Sequence, residues 1–193
     1  MLHLKLPTDP RWVNVAEKDI EEILVDHAYC EQKAASSCIS LIVLYPDKEK
    51  LVETLTPIVA EEWSHFERVL DELKKRGLGL GRMRKDEYVN KLLKLQRKGQ
   101  GHENQLTDKL LICALIEARS CERFKLLWQN LDDENLQKFY YELMVSEAGH
   151  YTTFIELARH YQDREIVDQR WQEILKEEAE IINNLGYREG RMH

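Results

Sequence analysis

The chain has 193 residues, 28 basic and 35 acidic side chains, a formal net charge of −7, 43% apolar residues, eight glycines and four prolines. That length supports one compact domain with a proper core, and the scarcity of Gly and Pro excludes a disordered linker, a collagen-like fibre and a turn-rich all-β sandwich. An excess of acid argues against generic nucleic-acid binding, although net charge hides where the charges sit.

After an irregular start containing Pro7 and Pro10, the apolar spacing becomes helical. Ile20, Leu24, His27, Glu31, Ala34, Cys38, Leu41 and Tyr45 recur at steps of three or four, and Tyr45-Pro46-Asp47 makes a turn. A second stripe, Leu51, Leu55, Ile58, Glu62, His65, Val69 and Leu73, runs through Pro57 to Gly77, Gly79 and Gly81. Residues 82–104 form a crossover with a short amphipathic stretch around Tyr88, Leu92 and Leu95. A third stripe, Leu106, Leu110, Cys113, Glu117, Ser120, Phe124, Leu127 and Leu131, ends at Asp132-Asp133. The fourth is Leu136, Tyr140, Leu143, Glu147, His150, Phe154, Leu157 and Tyr161. A last helix over about 165–185 carries Ile166, Trp171, Ile174, Leu175, Ile181 and Ile182.

Short turns within each half and a long connection between them predict an all-α four-helix bundle with one long crossover and an additional C-terminal helix, a single domain over 1–193. The longest apolar run, Cys38 to Tyr45, is too short to cross a bilayer, and no early stretch has the makeup of a secretory signal. The expectation is a cytoplasmic protein without membrane contact. Cys30, Cys38, Cys113 and Cys121 are too few and too scattered for a disulfide scaffold or a CxxC site, and read as reduced core thiols.

Each of the four stripes is interrupted by a carboxylate on its inward face: Glu31, Glu62, Glu117 and Glu147. Buried carboxylates need a partner. In the second and fourth stripes the interruption is Glu-x-x-His, Glu62 with His65 and Glu147 with His150, and a three-residue step puts both side chains on one helix face. One such motif is expected by chance in a chain this rich in glutamate, so the arrangement matters more than the motif. Glu31 precedes Glu62 by 31 residues and Glu117 precedes Glu147 by 30, so the halves form a pseudo-repeat. In each hairpin the two glutamates are nearly equidistant from the turn and come to the same height.

Four Glu and two His converging from four helices are the ligand set of ferritin-like di-iron and di-manganese bundles. Carboxylates with one imidazole per metal suit iron or manganese, and no thiolate accompanies them as in structural zinc sites. Glu122 competes with Glu117, but it lies about ten residues before the Asp132-Asp133 turn while Glu147 lies about fourteen after it, more than a helical turn out of register. Glu122 is therefore assigned to a salt bridge with Arg119 or Arg123. His27, one turn before Glu31, is either a hydrogen-bond partner of that ligand or a packed histidine. Trp63, Phe66 and Tyr151 read as core.

Charge is concentrated in one segment. Lys74, Lys75, Arg76, Arg82, Arg84, Lys85, Lys91, Lys94, Arg97 and Lys98 face only Asp86 and Glu87, a local charge of +8 that leaves −15 for the rest. Such a field can hold a phosphate backbone, with Tyr88 available for stacking, or be a solvated helix face.

The chain resembles the bacterial tRNA 2-methylthio-N6-isopentenyladenosine hydroxylase family over nearly its whole length. The resemblance is carried by residues 27–36 (His-Ala-Tyr-Cys-Glu-Gln-Lys-Ala-Ala-Ser), Glu-Glu-Trp-Ser-His at 61–65, Ile-Glu-Ala-Arg-Ser-Cys-Glu-Arg-Phe at 116–124, Ser-Glu-Ala-Gly-His at 146–150, and the Gly-Leu-Gly and Arg-Met-Arg-Lys run within 77–85. It implies a ferritin-like di-iron monooxygenase with two iron ions and O2 as co-substrate. The ligands are Glu31, Glu62, His65, Glu117, Glu147 and His150, with Glu62 and Glu147 bridging and Glu31 and Glu117 terminal. The implied substrate is the isopentenyl group of the modified base in the tRNA anticodon arm, held by the ten basic residues. The sequence has no flavin motif, nucleotide-binding Gly-rich fingerprint or iron–sulfur cysteine cluster, so a separate electron-donor protein is expected, acting on a monomer. The rival readings are a ferritin-like peroxidase or ferroxidase, and a non-catalytic RNA-binding helical bundle.

Overall fold

The computed structural model describes residues 2–83, 85–99, 101–186 and 191–192. Its helices are α1 (Arg11–Lys18), α2 (Ile20–Leu44), α3 (Glu49–Lys75), α4 (Glu87–Leu92) running into a 3-10 turn (Leu93–Leu95), α5 (His102–Asn130), α6 (Glu134–Tyr161) and α7 (Arg164–Leu185). No strand occurs among the described residues, and no helix there is long and apolar enough to cross a membrane. The chain divides into two compact units, one built on α2 and α3 and joined by Arg191 and Met192, the other on α4 to α7 with the first residues of the chain.

In the α2–α3 unit the apolar stripes are buried as their spacing predicts. Leu24, Cys38 and Leu41 of α2 and Leu51, Leu55, Ile58, Val69 and Leu73 of α3 are removed from solvent, while Ile20 and Ala34 are half-buried, each buried Leu or Ile contributing about 1.5–3 kcal/mol. Tyr45 closes α2 through its amide to Leu41 O, and Pro57 sits inside α3 without ending it. Gly77 ends α3 with φ +71. Leu78 N donates to Leu73 O at 3.0 Å and Gly77 N to Lys74 O at 2.9 Å, the paired bonds of a left-handed helix cap that glycine adopts without strain. Asp26 of α2 accepts from Arg191 Nη1 at 2.7 Å and Met192 N at 2.8 Å, tying the chain's end to this unit.

In the other unit α5 and α6 form the second hairpin. Asp133 caps α6 by accepting from Asn135 N and Leu136 N, Asp163 caps α7 and Asp86 caps α4. Phe124 and Tyr140 pack across the hairpin with ring centroids 5.5 Å apart. The crossover is fastened by two buried acids. Asp108 accepts from Arg97 N at 2.7 Å, Arg97 Nη2 at 2.8 Å and Arg170 Nε at 3.0 Å. Glu178 accepts from Arg119 Nη2 at 2.6 Å and from Tyr88 OH at 3.1 Å.

Three sequence expectations are corrected. The irregular start contains α1, whose Trp12, Val13 and Ala16 are buried; Asp9 Oδ1 accepts from Arg11 N at 2.8 Å and begins the helix, and eight residues are too few to display a period. Trp63 is 47% exposed, because its position on α3 turns it away from the Glu62–Phe66 face even as its ring packs on Phe66. Ile166 of the last stripe is exposed as well.

Burial pushes the Asp108 carboxyl up, but the hydrogen bonds from Arg97 and Arg170 outweigh it and hold it below the ordinary 3.8. A carboxyl depressed on folding stabilises the fold at neutral pH, and that contribution is lost as pH falls through the folded value. Asp108→Ala, which leaves Arg170 buried without this acceptor, is expected to cost about 3 kcal/mol in urea unfolding at pH 7. The variant's stability should also fall less steeply than the wild type's below about pH 4.

Candidate functional site

Glu31 comes from the middle of α2, and Glu62 and His65, one turn apart, from the middle of α3. All three are buried to within 5% of full exclusion. Their ligand atoms lie within 4.8 Å of one another. His65 Nδ1 is 3.7 Å from Glu31 Oε2 and 3.7 Å from Glu62 Oε2, so one ring nitrogen faces both carboxylates. The other oxygen of Glu31 is engaged separately: His27 Nε2 lies 2.5 Å from Oε1. A carboxylate only accepts, so that nitrogen carries the proton. Burial pushes the Glu31 carboxyl up, but the charge and hydrogen bond of His27, joined by His65, hold it well below the usual range.

The α5–α6 hairpin repeats the arrangement. Glu117 of α5 and Glu147 and His150 of α6 are buried, with ligand atoms within 4.8 Å of one another. His150 Nδ1 is 3.3 Å from Glu147 Oε2. Cys121, one turn after Glu117, donates to Met144 O at 3.4 Å, and burial followed by the charge of Glu147 pushes its thiol up to about 11. Glu122 points elsewhere. Its Oε2 accepts from Arg119 Nη1 at 2.6 Å, Thr8 Oγ1 at 2.6 Å and Thr8 N at 3.0 Å.

Each hairpin by itself therefore buries two carboxylates and an imidazole at one level. Burying that much negative charge demands a cation or strong donors. Oxygen donors with one imidazole per triad fit a hard or borderline divalent ion such as iron or manganese. All four cysteines are free thiols, Cys38 and Cys121 buried and Cys30 and Cys113 partly so.

The tRNA-(ms2io6A)-hydroxylase (MiaE) family matches residues 1–193. A Pseudomonas putida (strain KT2440) protein named tRNA 2-(methylsulfanyl)-N(6)-isopentenyladenosine(37) hydroxylase is 38% identical over 182 residues, which cover 94% of this chain and 87% of that one. A Salmonella typhimurium (strain LT2) protein of the same name is 29% identical, covering 81% of this chain and 75% of its own length. The chain belongs to this family. A solved Synechococcus chain described as protein 43 with aldehyde deformylating oxygenase activity superposes with TM-score 0.93 at 34% identity, covering 98% of this chain and 94% of that one. The fold is the ferritin-like four-helix bundle with one long crossover and an additional C-terminal helix.

The basic segment is divided by the structure into engaged and exposed cations. Lys74 pairs with Asp71 at 3.0 Å, Lys75 and Arg76 with Glu72 at 2.5 and 2.8 Å, and Arg97 with Asp108. Arg82, Lys85, Lys94 and Lys98 are exposed and Lys91 is half-buried, while Arg84 lies outside the described residues. Tyr88 is not available for stacking. It is 0% exposed with its hydroxyl on Glu178, because the apolar face of α4 turns toward α7. Tyr88→Phe should therefore lower stability by about 1–2 kcal/mol in urea unfolding, as a hydrogen bond to a buried carboxylate is removed, and leave tRNA affinity in filter binding unchanged.

Proposed function

We propose that this chain is an O2-dependent di-iron monooxygenase that hydroxylates the isopentenyl group of 2-methylthio-N6-isopentenyladenosine in tRNA. The observation that carries the reading is the duplicated buried triad, Glu31, Glu62 and His65 in one hairpin and Glu117, Glu147 and His150 in the other, in a chain that its family matches from residue 1 to 193. In this reading residues 1–193 act as one domain, and Glu31, Glu62 and His65 would hold one iron ion and Glu117, Glu147 and His150 the second.

Bound iron supplies O2 activation and the oxidation of an unactivated C–H bond. The chain supplies the rest. Its carboxylates would neutralise the metal charge, both histidines turn Nδ1 toward a triad carboxylate, and the burial of the six side chains excludes water. Hydroxylation by O2 takes up two electrons and two protons and releases water, so a separate electron-donor protein completes the reaction. The anticodon arm docks on the exposed cations of the 74–98 segment, and the enzyme works as a cytoplasmic monomer. Mass spectrometry of tRNA nucleosides from cells with and without the gene tests the reading directly: loss of the hydroxylated base with accumulation of its isopentenyl precursor is expected, and identical profiles would reject it.

A second reading rests on the Synechococcus structure, whose described activity is aldehyde deformylation on the same fold. Incubating the iron-loaded protein with a fatty aldehyde, O2 and a reductant separates the two, since alkane release belongs to that reading alone.

Metal analysis is expected to give about two iron ions per chain, with about one missing in each of His65→Ala and His150→Ala. Glu117→Gln should lower iron content while Glu122→Gln, whose carboxylate serves Arg119 and Thr8, retains it. Full loading in both histidine variants would sink the ligand assignment.

Neutralising Arg82, Arg84 and Lys85 together should weaken tRNA binding and flatten its salt dependence by about 0.7 to 0.9 in slope for each phosphate that is no longer neutralised. Iron content should not change. A triple variant that binds tRNA normally across the salt series would remove this segment from the substrate interface.

A further inference from the structure

The two triads are near copies, and one difference between their surroundings lies a helical turn before the first glutamate of each. Register aligns Glu31 with Glu117 and therefore His27, four residues before the first, with Cys113, four residues before the second. His27 is fully buried and its Nε2–H donates to Glu31 Oε1 at 2.5 Å, while Glu31 Oε2 faces His65 Nδ1. The two oxygens of Glu31 thus have separate duties, one committed to His27 and the other turned to the triad. Position 113 carries a thiol, a weak donor that cannot replace an imidazole N–H.

On the di-iron reading above, the geometry points to two unequal metal positions, with His27 a positioning residue that fixes Glu31 Oε2 as donor to the ion held by His65. The helix spacing makes the device rigid. His27 and Glu31 lie one turn apart on α2, so the imidazole and carboxylate meet without a loop between them. Hydrogen bonds that orient a ligand are worth about 10- to 100-fold in metal affinity, and His27 acts on one ion of the pair.

Anaerobic titration of the full-length metal-free protein with Co(II), followed by its visible absorption, reads each position without turnover. Two steps of different affinity are expected in the wild type. His65→Ala should remove one of them and His150→Ala the other. His27→Ala should weaken the step that His65→Ala removes by about 10- to 100-fold and alter its absorption envelope, leaving the other step in place. His27→Gln, whose Nε2 amide can donate from nearly the same point, should recover most of the loss while filling the same buried space.

Equal weakening of both steps, no change in either, or a Gln variant no better than Ala would overturn the role of His27 and leave the di-iron reading standing. A wild type that takes up no Co(II) would overturn the di-iron reading and this inference with it.

Discussion

Everything in this chain is arranged around carboxylates held inside apolar helical stripes. A carboxylate buried without compensation costs several kcal/mol, and each hairpin buries a pair of them, Glu31 with Glu62 and Glu117 with Glu147. They sit near the middle of helices of 25, 27, 29 and 28 residues, where the backbone is fully hydrogen-bonded and fraying is least. Helices of that length rise about 40 Å, far more than a metal site needs. The extra turns on either side bury the leucines and aromatics that hold the charged middle in place.

Much of this was legible in the sequence because it is periodic. The four long helices, the last helix and the hairpin turns follow from steps of three and four, and the triads follow from what interrupts those steps. Glu122 was separable from Glu117 by counting back from the Asp132-Asp133 turn. What escaped is what has no period or no local partner. The eight residues of α1 are too short for a stripe to show. Tyr88 sits among cations and reads as a stacking residue until Glu178, 90 positions away, takes its hydroxyl. Arg97 counts as a free cation until Asp108 and Arg170 appear beside it. The clamp of Asp26 on Arg191 and Met192 links opposite ends of the chain, and no local pattern announces it.

The basic segment shows how little a formal charge says about function until its partners are known. Lys74 is exposed and its pair with the exposed Asp71 is of the kind worth less than about 1 kcal/mol, which a phosphate can displace, whereas Lys75 pairs with the buried Glu72. Arg97 differs. It is locked by three hydrogen bonds to a fully buried carboxylate and serves the crossover's position. The segment is therefore divided along one stretch: Tyr88 and Arg97 fasten it to the helices below, and Arg82, Lys85, Lys94 and Lys98 face solvent. A fastened cation set loses less conformational entropy on meeting a nucleic acid than a free tail would.

The same economy governs how each triad is assembled. Glu31 and Glu62 are 31 residues apart and Glu117 and Glu147 are 30, so each triad forms within one hairpin from pairings that are local by the standard of protein folding. Helix and turn formation suffices to bring two carboxylates and an imidazole together, before any long-range pairing. Cys113 and Cys121 lie one turn to either side of Glu117, and Cys121 directs its S–H to the Met144 carbonyl and ties α5 to α6. His27 does the complementary work in the other hairpin by engaging one oxygen of Glu31 and leaving the second turned inward. In each hairpin a side chain one helical turn from the first glutamate is thus held within that hairpin, His27 on Glu31 Oε1 and Cys121 on the Met144 carbonyl.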